Sequence, residues 1–327
     1  MIGIRKEEPG MRKTGFLLLA AFLFAVTPIM AGEGDGFKTS SDLEVTTTTL
    51  IELKLRFNQS FIFPFLQGQN PLVEDNNIKL VLSASVTPIS LIGIGEIIWT
   101  PAAFFMLSGG ADAGSGWNLP IADGLGINAP VDKNAPSSPP RKAKIYGNAF
   151  DGLVWSAWGA GTFQFDLGAI FPGDWTHVVF MTRQEFRYSA NTGAGAKDSW
   201  IFENDEGENR NGWKYLANYV LGYQMPLSPV LSMIGVMAEL DKNFYNAPGG
   251  DFWGDSLGLW HFSGFGVLSI TPRFDTTVII QMKTHRNHGL SLFNNDYYYQ
   301  DLKIEKEDGK RRLLFYRLAL IFSYRLR

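Results

Sequence analysis

There is no cysteine in the chain. Disulfides, thiolate nucleophiles and Cys-ligated metal sites are therefore excluded together. The acylated cysteine of bacterial lipoproteins is excluded too, so any hold on a membrane must come from the fold. Charge is sparse: Asp, Glu, Lys and Arg make up 19% of the 327 residues, below the usual quarter. The net charge of −3 lacks the basic excess that a nucleic-acid partner calls for. Long apolar runs are also missing. The one continuous stretch, Gly15 to Val26, is too short for the ~20 residues of a membrane-spanning helix.

That stretch has a different use. Arg12 and Lys13 precede it, and Thr27-Pro28-Ile29-Met30-Ala31 follows with a small residue at its end. This is the layout of a secretory signal peptide. Residues 1–31 are expected to be removed after Ala31 or Gly32, with Met11 as an alternative start. Residues 32–42 are expected as a short periplasmic segment and 43–327 as one folded domain.

What is abundant is glycine, at 35 residues, and aromatics, at 14%. Mean hydropathy is close to zero, as it is where apolar and polar residues alternate. Alternation dominates from Leu43 onward. In the last segment Leu314, Tyr316, Leu318, Leu320, Phe322 and Tyr324 fall on one face, while Phe315, Arg317, Ala319, Ile321 and Ser323 fall on the other. Trp213, Tyr215, Tyr219, Leu221 and Tyr223 alternate with Lys214, Asn218 and Gln224. Val178, Phe180, Phe186 and Tyr188 alternate with Arg183, Glu185 and Arg187. Such strands have one face for lipid and one that lipid would reject.

Strand length, aromatic placement and loop length separate a membrane barrel from a soluble sandwich. The strands run longer than the usual five or six residues. Trp99, Trp155, Trp175, Trp213, Tyr223, Trp260 and Tyr324 sit toward strand ends, as in an aromatic girdle. Short turns at Thr87-Pro88, 171–174, 226–229 and 271–273 are expected on the periplasmic side, and long loops at 59–75, 108–141, 189–211, 246–255 and 287–310 outside. The predicted fold is all-β: a transmembrane antiparallel up-and-down β-barrel of about ten strands, near 43–58, 77–87, 89–106, 143–170, 175–189, 212–225, 229–244, 256–270, 273–286 and 312–326. The segment 143–170 is too long for one span. A break near Trp158-Gly159 would give the alternative of twelve strands.

The run Phe315-Tyr316-Arg317-Leu318-Ala319-Leu320-Ile321-Phe322-Ser323-Tyr324 resembles the terminal strand by which outer-membrane proteins are recognised for insertion. The added Arg325-Leu326-Arg327 departs from the aromatic ending that pattern often has. With the leader, the whole chain is similar to bacterial outer-membrane β-barrel proteins, of the small spirochaete type. The resemblance implies outer-membrane location, lipid as surroundings, and the barrel-assembly machinery as a partner through the C-terminal strand.

Candidate chemistry lies on the inward faces. Glu52, Lys54, Arg56, Glu96, Asp166, Arg183, Glu185, Arg187, Glu239, Asp241, Lys283 and Arg317, with His285, are expected to line the lumen, either as a wet pore or as an ion-paired plug. The acidic stretch Glu203, Asp205, Glu206 and Glu208 fits no complete calcium motif and reads as a solvated loop. His285 and His288 do not make a metal site. Gly109-Gly110-Ala111-Asp112-Ala113-Gly114 lacks the Lys-Ser/Thr of a phosphate loop and reads as flexible linker. The greasy run Phe61-Ile62-Phe63-Pro64-Phe65-Leu66 is expected in a loop packed into the barrel mouth.

These readings point to a non-enzymatic channel or transporter for small solutes, without a cofactor. A closed pedestal whose loops bind a partner is the second class. An outer-membrane enzyme, with Asp241, His285 and His288 near the rim, is the third.

Overall fold

The computed structural model describes residues 36–50, 52–128, 144–145, 148–195, 199–203, 205, 209–225, 230–244, 258–285 and 312–326. The expected leader, and with it the cleavage site, lies outside these residues, as do Glu206, Glu208 and His288. Among the described residues twelve strands close into one antiparallel barrel, in the order β1-β15-β14-β13-β12-β11-β9-β8-β5-β4-β3-β2. The barrel strands are β1 (Lys38–Thr48), β2 (Leu53–Pro64), β3 (Asn77–Thr87), β4 (Ser90–Ala102), β5 (Phe105–Gly116), β8 (Val154–Asp166), β9 (Val178–Asn191), β11 (Gly212–Gln224), β12 (Leu231–Asn243), β13 (Leu259–Thr271), β14 (Phe274–His285) and β15 (Arg312–Arg325). Three short strands, β6 (Leu125–Asn128), β7 (Lys144–Ile145) and β10 (Ser199–Phe202), form a separate sheet in the order β10-β6-β7. Each barrel strand pairs with its sequence neighbour, and β15 closes on β1 with Leu320 opposite Thr47. This is an up-and-down barrel of the outer-membrane type, with no exposed edge.

The count is twelve rather than ten because two strands hide in the sequence. The expected strand 43–58 is a hairpin turning at 49–52. No Gly or Pro marks it. Thr48 makes the turn instead: its hydroxyl accepts from the Leu50 N–H at 3.2 Å and donates to Glu52 at 3.0 Å. The second hidden strand is β5. Its run of Gly and Ala has little strand propensity and reads as linker, yet it pairs along its length with β4 and β8. Pairing on both edges supplies what intrinsic propensity lacks. The long segment 143–170 shortens to β8 and does not break at Trp158-Gly159.

These two strands also re-sort the loops. The start of β1 and the end of β15 lie at one end, here the termini end, together with the strand ends that flank 65–76, 103–104, 167–177, 225–230 and 272–273. The other end carries the strand ends that flank 49–52, 88–89, 117–153, 192–211, 244–258 and 286–311. The expected long loop at 59–75 thus belongs to the termini end. The short turn at Thr87-Pro88 belongs to the long-loop end. Phe61 and Phe63 are the tail of β2 and face outward, Phe61 stacked on Phe37 at 6.2 Å and Phe63 tilted against it at 5.0 Å, so they join a girdle and not a mouth.

Register assigns the faces. Ile97, Phe186, Trp213, Leu221, Val236, Phe262 and Ile280 share the outward parity and are among the most exposed large apolar side chains, from 41% for Phe262 to 57% for Val236. Outside, apolar exposure is what lipid requires. Aromatics gather at both ends: Tyr188 stacks between Trp155 and Trp213, 5.5 Å from each, at the long-loop end, while Trp99, Tyr223 and Tyr324 lie at the other. In β15, Leu318, Leu320, Phe322 and Tyr324 face out and Arg317, Ala319, Ile321 and Ser323 face in. A bulge opposite Gln281/Met282 then reverses the parity. Tyr316 turns inward and Phe315 outward, at 58% exposure, opposite to the strict alternation expected there.

Candidate functional site

The inward parity collects the charge. Glu96, Arg183, Glu185, Arg187, Glu239, Asp241, Lys283, Arg317, Lys54 and Arg56 all face the interior. Glu52 enters it from the β1–β2 turn. His285 ends β14, at the loop end, and its side chain is outside the described set.

One cluster joins strands that are not neighbours, which is possible only across the interior. Arg183 Nη2 on β9 donates to Glu96 Oε1 on β4 at 3.1 Å and to Glu185 Oε2 at 2.9 Å. Its Nη1 donates to Ser108 on β5 at 3.1 Å. Arg187 donates through Nε to Glu185 Oε1 at 2.7 Å and through Nη1 to Asp112 Oδ2 on β5 at 3.0 Å. The Arg187 guanidinium lies 4.3 Å from the Trp158 ring centroid. Glu185 is the buried centre, 6% exposed, bridging both cations. Gly110 makes room: a Cβ there would stand 2.5 Å from the Trp158 ring.

A second cluster occupies the opposite wall. Arg317 donates to Glu52 Oε2 at 2.9 Å and to Gln281 Oε1 at 3.0 Å. Gln281 donates on to Glu239 at 2.9 Å and to Ser263 at 3.2 Å. Tyr316, swung in by the bulge, stacks on His261 at 5.7 Å, with Lys283 at 5.0 Å and Arg317 at 5.1 Å over its ring.

The loop end carries a folded cap. Leu125 of β6, Val154 at the start of β8 and Trp200 of β10, all 7% exposed or less, form a small hydrophobic core with Ala194 and Phe202 packed against it. The glycines here are obligatory: a Cβ on Gly124 would stand 2.1 Å from the Trp117 carbonyl oxygen. Glu203, held at φ 54° with its N–H donating to the Gly124 carbonyl, reaches from this cap to the barrel. It accepts from Lys54 at 2.8 Å and from Ser90 at 2.7 Å. Glu203 is therefore a tether and not part of a freely solvated acidic loop. Glu203→Gln removes the ionic contact and is expected to loosen the cap by roughly 1 kcal/mol, since both partners are about a quarter exposed. Native-state hydrogen exchange should speed at the Trp200 and Ile201 amides and stay unchanged in the strands.

Asp166 does not belong to the lumen clusters. It sits at the termini end, where its carboxylate accepts from the Gly168 N–H at 2.9 Å and pairs with His177 at 2.8 Å. Both contacts brace the connection to β9. Arg56 stands opposite Glu44, and Asp241 opposite Leu216 and Leu259, in register. Among the described residues no three His, Asp or Glu side chains converge as a metal would need.

Sequence reading missed Asp112, Trp158, Gln281, Tyr316 and Glu203. The signal for Asp112 was present: Met106, Ser108, Gly110 and Asp112 alternate with Leu107, Gly109 and Ala111. Glycine on both faces hid it. A shallow groove of about 840 Å³ over Ile97, Trp99, Leu107, Gly109, Gly159 and Phe186 lies on the outside of the barrel.

No protein-family model matches the chain, and no curated protein matches it in sequence. Among solved structures it is similar to the KdgM porin, at TM-score 0.37 and 9% identity over 87% of this chain and 98% of that one. The NanC porin gives 0.37 and 7% over 87% and 98%. The β domain of the Bordetella autotransporter BrkA gives 0.37 and 7% over 88% and 98%. Likeness at this level says nothing about the lumen.

Proposed function

We propose that this barrel is a non-enzymatic channel for small solutes in a bacterial outer membrane, exported by a cleaved leader and oriented with its termini in the periplasm. One observation carries the reading: Met181, Val220, Met237, Phe265, Ile279 and Ile321 face the interior, yet each is only partly buried. Side chains that filled a plug would be fully buried, as small-barrel interiors are. Partly accessible inward side chains are what an open lumen beside the charged clusters requires. The small core at the loop end also favours a second reading, a closed barrel presenting its loops to a partner.

Arg183→Glu separates the two. The cluster carries two guanidiniums against three carboxylates. The substitution leaves one against four, and charge lining a pore sets its selectivity. In planar bilayers the wild-type protein should conduct, and the variant should shift its reversal potential toward greater cation preference. Absence of conductance in the wild-type protein would hand the function to the loop-presenting reading.

A further inference from the structure

One inward row near the termini end is apolar across half of the barrel's strands. Val179, Gly222, Gly235, Phe265, Ile279 and Ala319 form one lateral row across β9, β11, β12, β13, β14 and β15. Met181 and Met237 sit one inward position nearer the loops, and Met233 one nearer the termini. The glycines seat their neighbours: a Cβ on Gly235 would stand 2.5 Å from the Phe265 ring, and one on Gly222 3.0 Å from the Met233 sulfur. The wall is thereby smooth. Val179, Phe265, Ile279 and the three methionines remain partly accessible. Two inward positions toward the loops runs a polar row, Arg183, Asn218, Glu239, His261 and Lys283.

A pore that passes only hydrated ions has a polar interior and gains nothing from such an arc. Contiguous accessible apolar surface marks a binding site, and methionine adapts to varied shapes. A twelve-strand lumen that already holds charged side chains leaves room for a small molecule and not for a protein. We propose that the lumen binds small amphipathic solutes, with an alkyl chain or ring laid on the arc from Val179 to Ala319 and a polar end in the row from Arg183 to Lys283. The inference rests on the channel reading and names the class of solute.

Because the chain contains no cysteine, Met237→Cys introduces a single thiol at the arc. Val236→Cys, one residue away and outward at 57% exposure, is the lipid-side control. The full-length protein in vesicles is treated with a quaternary-ammonium methanethiosulfonate, with octanoate or acetate as competitor. The expected result is modification at position 237, slowed about tenfold by millimolar octanoate and unaffected by acetate, with slow, octanoate-independent modification at 236. Fast modification at 237 without protection by octanoate overturns the solute class and leaves the channel standing. No modification at 237 overturns both. Modification that appears only after excision of residues 286–311 shows that the chain covers its own arc, and overturns the proposal. Should Met237→Cys fail to assemble, Met181→Cys with Phe180→Cys as its outward control repeats the comparison.

Discussion

Replacing Glu185 by alanine is expected to destabilise the folded barrel by about 3 kcal/mol, the largest effect of any single lumen substitution. Glu185 is 6% exposed and accepts from both Arg183 and Arg187, at 2.9 and 2.7 Å. Removing it leaves two guanidiniums facing each other without the carboxylate between them. The loss falls at the lower end of the range for broken buried pairs, because each arginine keeps a second partner, Glu96 or Asp112, and is itself 24–31% exposed. Glu185→Gln keeps a hydrogen-bond acceptor and should recover part of the loss. Equilibrium urea unfolding in vesicles measures both. An alanine variant as stable as the wild-type protein would show that water already screens the cluster, and that Glu185 holds nothing together.

Leu320→Arg should impair assembly through the opposite physics. Leu320 faces lipid between Val278 and Thr47. A cation on the lipid face costs about 2–4 kcal/mol near the bilayer midplane, with no partner to offset it. Ile321→Arg, one residue on, enters the lumen opposite Thr277 and Thr46, where water and polar groups receive it. The expected result is loss of the heat-modifiable folded form for the first variant and its retention for the second. Equal behaviour would mean that β15 is out of register by one residue, since a single slip exchanges the faces.

Much of this architecture is legible in the residues because a membrane barrel writes its two solvents into every strand. Lipid on one side and a polar interior on the other impose period two. The inward assignments of Arg183, Glu185, Arg187 and Arg317 and the outward ones of Trp213, Leu221 and Leu320 follow from that period alone. The girdle aromatics follow for the same reason, since strand ends lie at the interface.

Three features did not follow. The turn at 49–52 is invisible because alternation runs through it unbroken and a threonine hydroxyl does the work of Gly or Pro. Strand β5 is invisible because Gly and Ala carry no preference for either solvent; only pairing with β4 and β8 makes it a strand, and that pairing carries Asp112 to Arg187. The bulge opposite Gln281 is a property of two strands together, so no reading of β15 alone could turn Tyr316 inward. What the sequence determined by itself was the class of fold and the face of most side chains, because those depend on the solvent each residue meets. Which charges pair across the lumen, and where the apolar arc lies, was decided only by closure, because both join residues on different strands through register and not through distance along the chain.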